Sequence, residues 1–331
     1  MTNFTNENLL ESVRNTVKLS SYNNYKNRLE TLVKICDGKD LTYVLLNPIN
    51  VYSKMKKSEK IKTISSMGNY ITPVCKVFTS NKEFLEANKK HYDKWRKYLQ
   101  ENREDERDVY KQSKPSEKQL ENMVPFKDIK AKLYELSEKE PYKDFDTHMQ
   151  YLLLAFMVYT VPKRSDYGNL EILKQFPRKM GDRNLLVLSS KKPKLILNKY
   201  KTANYFGSLE EDIPTELQEI MKLSLEALPR KYVFGFYHKG EFTPYVENNS
   251  YSKFFMNTCK KLFGKPMGPS LFRHIYISDN LDPSKIAFED HEKIAKLMGH
   301  SMGMQRLVYH WVKSNDKQEP TLSNSSSQKR Q

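Results

Sequence analysis

The chain has 331 residues, with 56 Lys or Arg against 40 Asp or Glu, a formal charge of +16 and three cysteines. That length holds two ordinary domains; the charge points to a polyanionic partner, most simply nucleic acid, although a Lys-, Asn- and Tyr-rich style also follows from AT-biased codon usage. The longest apolar run, Tyr151 to Val161, is too short to span a bilayer, and Cys36, Cys75 and Cys259 lie far apart without metal-ligand spacing, which excludes a membrane-spanning role and a cysteine metal site and reads as reduced thiols in a nucleus- or cytoplasm-like compartment.

Residues 1–20 are polar, without a leader pattern, and read as a loose arm. Ser20 to Cys36 places Tyr22, Tyr25, Leu29, Leu32, Val33 and Cys36 at helical spacing. Leu41 to Leu46 runs into Asn47-Pro48, a turn and helix-start signal. Val51 to Met67 carries Lys54, Lys56, Lys57, Lys60 and Lys62 around a thin apolar stripe. Tyr70 to Phe78 follows, then a long polar helix from Asn81 to near Arg103. No strand pattern appears before residue 165, so residues 21–105 read as a small helical bundle with a lysine-rich face. Residues 106–118, dense in charge and ending in Ser113-Lys114-Pro115-Ser116, read as a linker or as a solvated helix end.

In the second half, Glu117 to Glu138 and Phe145 to Val161 read as helices, the latter apolar on most sides and hence buried. It stops at Val161-Pro162 and is followed by Lys163-Arg164-Ser165-Asp166. Arg164 there either complements the helix C-terminus or faces a ligand. Leu170–Leu173, Leu185–Leu188, Lys194–Asn198 and Tyr205–Ile213 read as strands. Pro214 to Leu228 is an amphipathic helix, Tyr232 to Tyr237 an aromatic strand or core segment, and Asn249 to Phe263 a helix. The predicted class is mainly α with a small antiparallel β-sheet (α+β), with residues 119–316 as a second domain and 317–331 as a disordered tail.

Pro269 to Trp311 is the most informative stretch. Arg273 sits in an apolar, helix-like segment beside Phe272 and Ile275. His300 follows Gly299 after the amphipathic run Ile294, Ala295, Leu297, Met298, so it stands just past a helix end. Tyr309 comes nine residues later. A guanidinium fork, an imidazole and a phenol suit phosphate chemistry, because the fork matches two phosphate oxygens and the imidazole donates to a third or shuttles a proton.

This arrangement resembles the C-terminal half of the tyrosine recombinases, the phage-type integrases, whose signature is Arg, Lys, His-x-x-Arg, His or Trp, then Tyr. Leu297-Met298-Gly299-His300-Ser301 looks like that family's Leu-Gly-His box, and Tyr309 falls at the usual distance for its nucleophile. Arg164 is placed like the family's first catalytic Arg, with Asp166 two residues on where the family has an acid three residues on. The first His of His-x-x-Arg is Ser270 here. His274, on the same helical face, is either a substitute base or a residue packed under Arg273. The resemblance implies a hairpin lysine as general acid, Lys201 or else Lys199. It also implies a helical DNA core-binding domain in the N-terminal half, to which Lys54, Lys56, Lys57 and Lys60 would contribute.

The implied activity is DNA strand transfer through a 3′-phosphotyrosine, with Tyr309 as nucleophile and Arg164, Arg273, His300 and Lys201 around the phosphate. No metal or cofactor is expected. The implied partner is double-stranded DNA clasped by both domains, with a homotetramer on two DNA sites. The implied setting is a virus or mobile element acting in the nucleus or cytoplasm of a host cell, or carried in a virion. Two alternatives share the fold: a type IB topoisomerase-like enzyme and a catalytically weakened DNA-binding protein. A third discards the resemblance for a basic helical scaffold on RNA or DNA.

Overall fold

The computed structural model describes residues 4–111, 114–189, 191–246, 248–281 and 285–306. The chain divides into two compact units that meet in sequence at residues 112 and 113. The first is all helical: α1 (Asn6–Arg14), α2 (Leu19–Ile35), α3 (Leu41–Leu46), α4 (Pro48–Lys57), α5 (Ile64–Ser80), α6 (Lys82–Ala87) and α7 (Lys89–Lys111). The second begins with α8 (Glu117–Asn122), α9 (Phe126–Ser137) and α10 (Phe145–Tyr159). Then come β1 (Glu171–Leu173), β2 (Leu185–Val187), β3 (Lys194–Leu197), α11 (Ala203–Phe206), β4 (Leu209–Asp212) and α12 (Thr215–Ala227). It closes with β5 (Gly235–His238), β6 (Glu241–Pro244), α13 (Asn248–Phe263), α14 (Pro269–Asn280), α15 (Phe288–Leu297) and α16 (Met302–Met304).

In the first unit the apolar stripes of α1, α2, α4, α5 and α7 meet in one core that includes Leu32, Val51, Ile71, Phe78 and Trp95. Helix α5 is the axis of this core. A Thr63/Ser66 capping box starts it, and Pro73 lies inside it. Proline cannot donate to the carbonyl four residues back, and Arg28 Nη1 supplies that donor, 3.1 Å from Asn69 O. Trp95 is fully buried, and its Nε1 donates to Leu45 O at 3.0 Å, tying α7 to α3. One expectation changes here. The stretch expected as a loose arm contains α1, capped by Thr5, with Leu9 and Val13 one turn apart and buried in the core. The charge-dense residues from 106 to 111 continue α7, supported by an Asp108–Lys111 pair at 2.7 Å, and the boundary between the two units falls just after them, between residues 112 and 113, inside the stretch read as a linker.

In the second unit α10 is buried from His148 to Met157, packed between α9 and α12. Four short strands lie in the order β1-β2-β3-β4. The sheet is mixed, where sequence pattern predicted an antiparallel one: β1 pairs with β2 in parallel, while β2–β3 and β3–β4 are antiparallel. Residues 174–184, which join β1 to β2, form a crossover that carries the chain back so that β2 runs in the same direction as β1. A separate antiparallel hairpin pairs β5 with β6. The strand expected over 205–213 begins at Leu209, because α11 occupies residues 203–206 and ends at Gly207, whose φ of +67° is open to glycine at little cost.

Replacing Trp95 with Ala removes the largest fully buried side chain of the first unit, and large-to-small core changes of this kind cost ~3–5 kcal/mol. Urea unfolding of the Trp95→Ala protein should show a loss of that size in the transition assigned to this unit; a change below ~1 kcal/mol would contradict the packing described.

Candidate active site

The site grows from the end of α10. Thr160 leaves the helix with extended backbone, and Pro162 prevents its continuation. Tyr167 locks the resulting turn, its hydroxyl lying 2.6 Å from Thr160 Oγ1 and donating to Val161 O at 3.2 Å. The turn carries Lys163, Arg164 and Asp166. The Arg164 N–H donates to Asp166 Oδ2 at 3.1 Å. The Asp166 carboxyl is raised above its ordinary pKa by burial, against the pull of Arg164, Arg273 and Lys163.

Arg273 reaches this turn from α14, whose Phe272 and Ile275 pack into the core. Its side chain is fully buried, and Nη1 donates to Pro162 O at 3.2 Å and to Met298 O at 2.9 Å. Lys163 lies beside it. Its Nζ contacts Glu211 Oε2 of β4 at 2.7 Å and donates to Leu297 O at 2.9 Å, while Glu211 Oε1 accepts from the Val161 N–H at 2.5 Å. Burial pulls the Lys163 pKa down; Glu211 opposes that shift.

His300 arrives from α15. The helix ends in a Schellman pair: the His300 N–H reaches Ala295 O at 3.1 Å and the Gly299 N–H reaches Lys296 O at 2.8 Å. Gly299 has φ +68°, and a Cβ there would lie 3.1 Å from Thr202 Oγ1 and 3.2 Å from the Tyr200 ring. Both the backbone conformation and the close approach call for glycine. His300 is buried, and its pKa is lowered to about 3, first by burial and then by Arg273 and Arg164. The imidazole is therefore neutral at pH 7.

The connection between β3 and β4 closes one side. Asn184 Oδ1 accepts from the N–H groups of Asn198 and Lys199 at 3.1 and 2.9 Å, and its Nδ2 donates to Lys199 O at 3.0 Å and Asp166 O at 3.1 Å. Thr202 Oγ1 donates to Gly299 O at 2.8 Å. Lys201 and Lys199 are both exposed on this connection, with Lys201 next to Thr202.

Of the residues predicted from sequence, Arg164, Arg273 and His300 come together in one centre, and Lys201 stands on the segment docked against it. Ser270 is exposed in the first turn of α14, and His274 lies one turn further along, buried. Tyr309 lies outside the described residues. In the first unit Lys54 is engaged by Asp37 at 2.5 Å. Lys56 lies 4.8 Å over the Tyr52 ring, which stacks on Tyr98 at 4.0 Å, and Lys94 covers Tyr98 at 5.0 Å. Lys57 and Lys60 are exposed.

Sequence reasoning missed Lys163, Glu211, Asn184 and Thr202. Glu211 had a readable signal: it stands two residues from Leu209 and two from Ile213, both buried, so it shares their inward face. The other three carry no such pattern. Among the described residues no group of three or more His, Cys, Asp or Glu is placed to hold a metal ion, and no helix is long and apolar enough to cross a membrane.

Among solved structures the chain is similar to one described as the crystal structure of XerA recombinase, at 13% identity, with 94% of this chain and 95% of that chain covered and a TM-score of 0.38. No protein-family model matches the chain, and no curated protein matches it. The chemistry therefore rests on the side chains themselves.

Glu211→Gln would strand the Lys163 ammonium in the interior, and breaking a buried pair in this way costs ~3–5 kcal/mol. The double variant Lys163→Met/Glu211→Leu should recover most of that loss in urea unfolding; a single variant costing under ~1 kcal/mol would show the pair to be solvated. His300 gives a pH signature. Its folded pKa of about 3 lies below the unfolded value near 6.5, so the unfolded chain protonates first and stability falls as pH drops from about 6.5 toward 3. His300→Gln should make the unfolding midpoint less steep over that range, while His148, also lowered by burial, to about 4, keeps its own share of the slope. An unchanged slope would place His300 in solvent.

Proposed function

We propose that this protein is a DNA strand transferase of the tyrosine recombinase type, acting on double-stranded DNA through a 3′-phosphotyrosine intermediate. The observation that carries this reading is the meeting of Arg164, Arg273 and His300, from three separate segments, at a centre where, among the described residues, cations outnumber carboxylates. Lys163, Arg164 and Arg273 face Asp166 and Glu211 there. Such a centre is built to receive an anion with several oxygens.

In the proposed reaction the Tyr309 phenol loses its proton to solvent water, and the resulting phenolate oxygen attacks a backbone phosphorus. The P–O bond to the 5′-carbon side breaks, and the leaving oxygen keeps the bonding pair and takes a proton from the Lys201 ammonium. Arg164 and Arg273 hold the non-bridging oxygens as negative charge builds on the five-coordinate phosphorus, and the neutral His300 donates an N–H to one of them. The phenol, with a pKa of ~10, costs about 4 kcal/mol to ionise at pH 7, which the nearby positive charge offsets. The attack conserves a phosphodiester bond, so a second strand's 5′-hydroxyl reverses it without ATP. Lysines 56, 57, 60 and 94 of the first unit supply phosphate contacts, and Lys54 contributes less because Asp37 already holds it. The expected assembly is a homotetramer on two DNA sites.

A second reading, a DNA-binding protein with weakened catalysis, is favoured by one observation. Ser270 stands where the family signature has a histidine, and its exposed hydroxyl is no base near neutral pH. A missing general base costs ~100-fold or more.

Nicked duplexes of randomised sequence, incubated with the protein in EDTA, should yield a DNA-shifted band on a denaturing gel. Tyr309→Phe should remove the band and leave DNA binding intact, and Arg164→Ala should reduce it ~100-fold or more. Ser270→His should raise cleavage ~10–100-fold. Tight binding without any band, even in Ser270→His, is the result that favours the second reading.

A further inference from the structure

Three consecutive carbonyls lead down the end of α15 to His300, and each accepts from a different segment. Leu297 O takes Lys163 Nζ at 2.9 Å, Met298 O takes Arg273 Nη1 at 2.9 Å, and Gly299 O takes Thr202 Oγ1 at 2.8 Å. The first two donors are buried in the domain wall. The third belongs to the connection between β3 and β4, most of which is exposed. Asn184 holds the start of that connection through Asn198 and Lys199. Lys201 therefore stands between two anchors: Asn184 behind it and the Thr202–Gly299 bond ahead of it. The Tyr200 ring also lies against Gly299, which leaves room for no larger residue.

We propose that Thr202 is a positioning residue that latches the connection carrying Lys201 onto the His300 box, so that the Lys201 ammonium is held where the leaving oxygen departs. The proposal rests on the strand-transfer reading, with Lys201 as general acid. A flexible lysine on an exposed loop delivers its proton poorly, because reach and direction must both be right when the P–O bond breaks. One hydroxyl bond to the residue preceding His300 fixes the loop relative to the groups that hold the phosphate. The latch is part of the catalytic geometry, while Lys163 and Arg273 set the position of the box itself.

The test uses the full chain and a nicked duplex carrying the sequence recovered from the adduct pool, in two forms. One has the ordinary 5′-oxygen at the scissile bond; the other has sulfur in its place. A thiol has a pKa of ~8.5, so a 5′-thiolate leaves as the anion and needs no proton from the enzyme. Thr202→Val keeps the shape and removes the donor; Thr202→Ser keeps the donor. Single-turnover cleavage of the oxygen substrate should fall ~10–100-fold in Thr202→Val and recover to within about threefold of the unsubstituted protein in Thr202→Ser. On the sulfur substrate Thr202→Val should match the unsubstituted protein to within about threefold. A variant that merely folds less well slows both substrates alike, and that result, or an undiminished rate on oxygen, overturns the latch. Lys201→Ala separates the latch from the reading beneath it. If sulfur rescues Lys201→Ala but not Thr202→Val, the acid is Lys201 and the latch is wrong. If sulfur rescues neither, Lys201 is not the acid and the latch falls with it.

Discussion

A lysine ammonium placed in a dry interior must find a carboxylate for its charge and carbonyls for its remaining protons. Lys163 does both at one point. Glu211 of β4 takes the charge, and Leu297 O at the end of α15 takes a further proton. The other carboxylate oxygen of Glu211 accepts from the Val161 N–H. One ion pair thus joins the end of α10, the last strand of the mixed sheet and the helix that delivers His300. Arg273 adds the fourth piece by reaching Pro162 O and Met298 O together. Such a pair adds little net stability, since desolvation opposes attraction. Its value here is geometric: Lys163, Arg273 and the segment carrying His300 are fixed relative to one another.

That arrangement explains why the imidazole is neutral. His300 is buried beside two guanidinium groups, and both burial and like charge disfavour protonation. A bound phosphate would reverse part of this by supplying negative charge. The described centre thus sets a neutral imidazole among cations that outnumber its carboxylates by one, and under the proposed reaction that neutral donor would suit charge that builds on non-bridging oxygens.

Much of this was legible in the sequence, for physical reasons. Gly299-His300 could be read because a helix end in the left-handed region selects glycine, and the residue after it is displayed. Arg273 could be read because an arginine among Phe272 and Ile275 needs a purpose. The buried helix before Pro162 announced itself by being apolar on most sides. What stayed hidden depends on pairing between distant segments. Lys163 looks like a surface cation in a basic run, and only the approach of β4 and α15 makes it central. Asn184 and Thr202 are ordinary polar residues until the β3–β4 connection is folded against Asp166 and Gly299. The parallel pairing of β1 and β2 follows from a crossover whose path no local pattern encodes. The first helix was missed because its apolar residues, Leu9, Leu10 and Val13, are too few to stand out from a polar stretch.

If Tyr309 becomes covalently joined to DNA, as proposed, peptide mapping of the trapped adduct shows it most directly. After nuclease treatment and tryptic digestion, the peptide from Leu307 to Lys313, which contains a single tyrosine, should carry the mass of a nucleotide esterified through its 3′-phosphate. The same mass on any other peptide, or a 5′-phosphate linkage, would contradict the account.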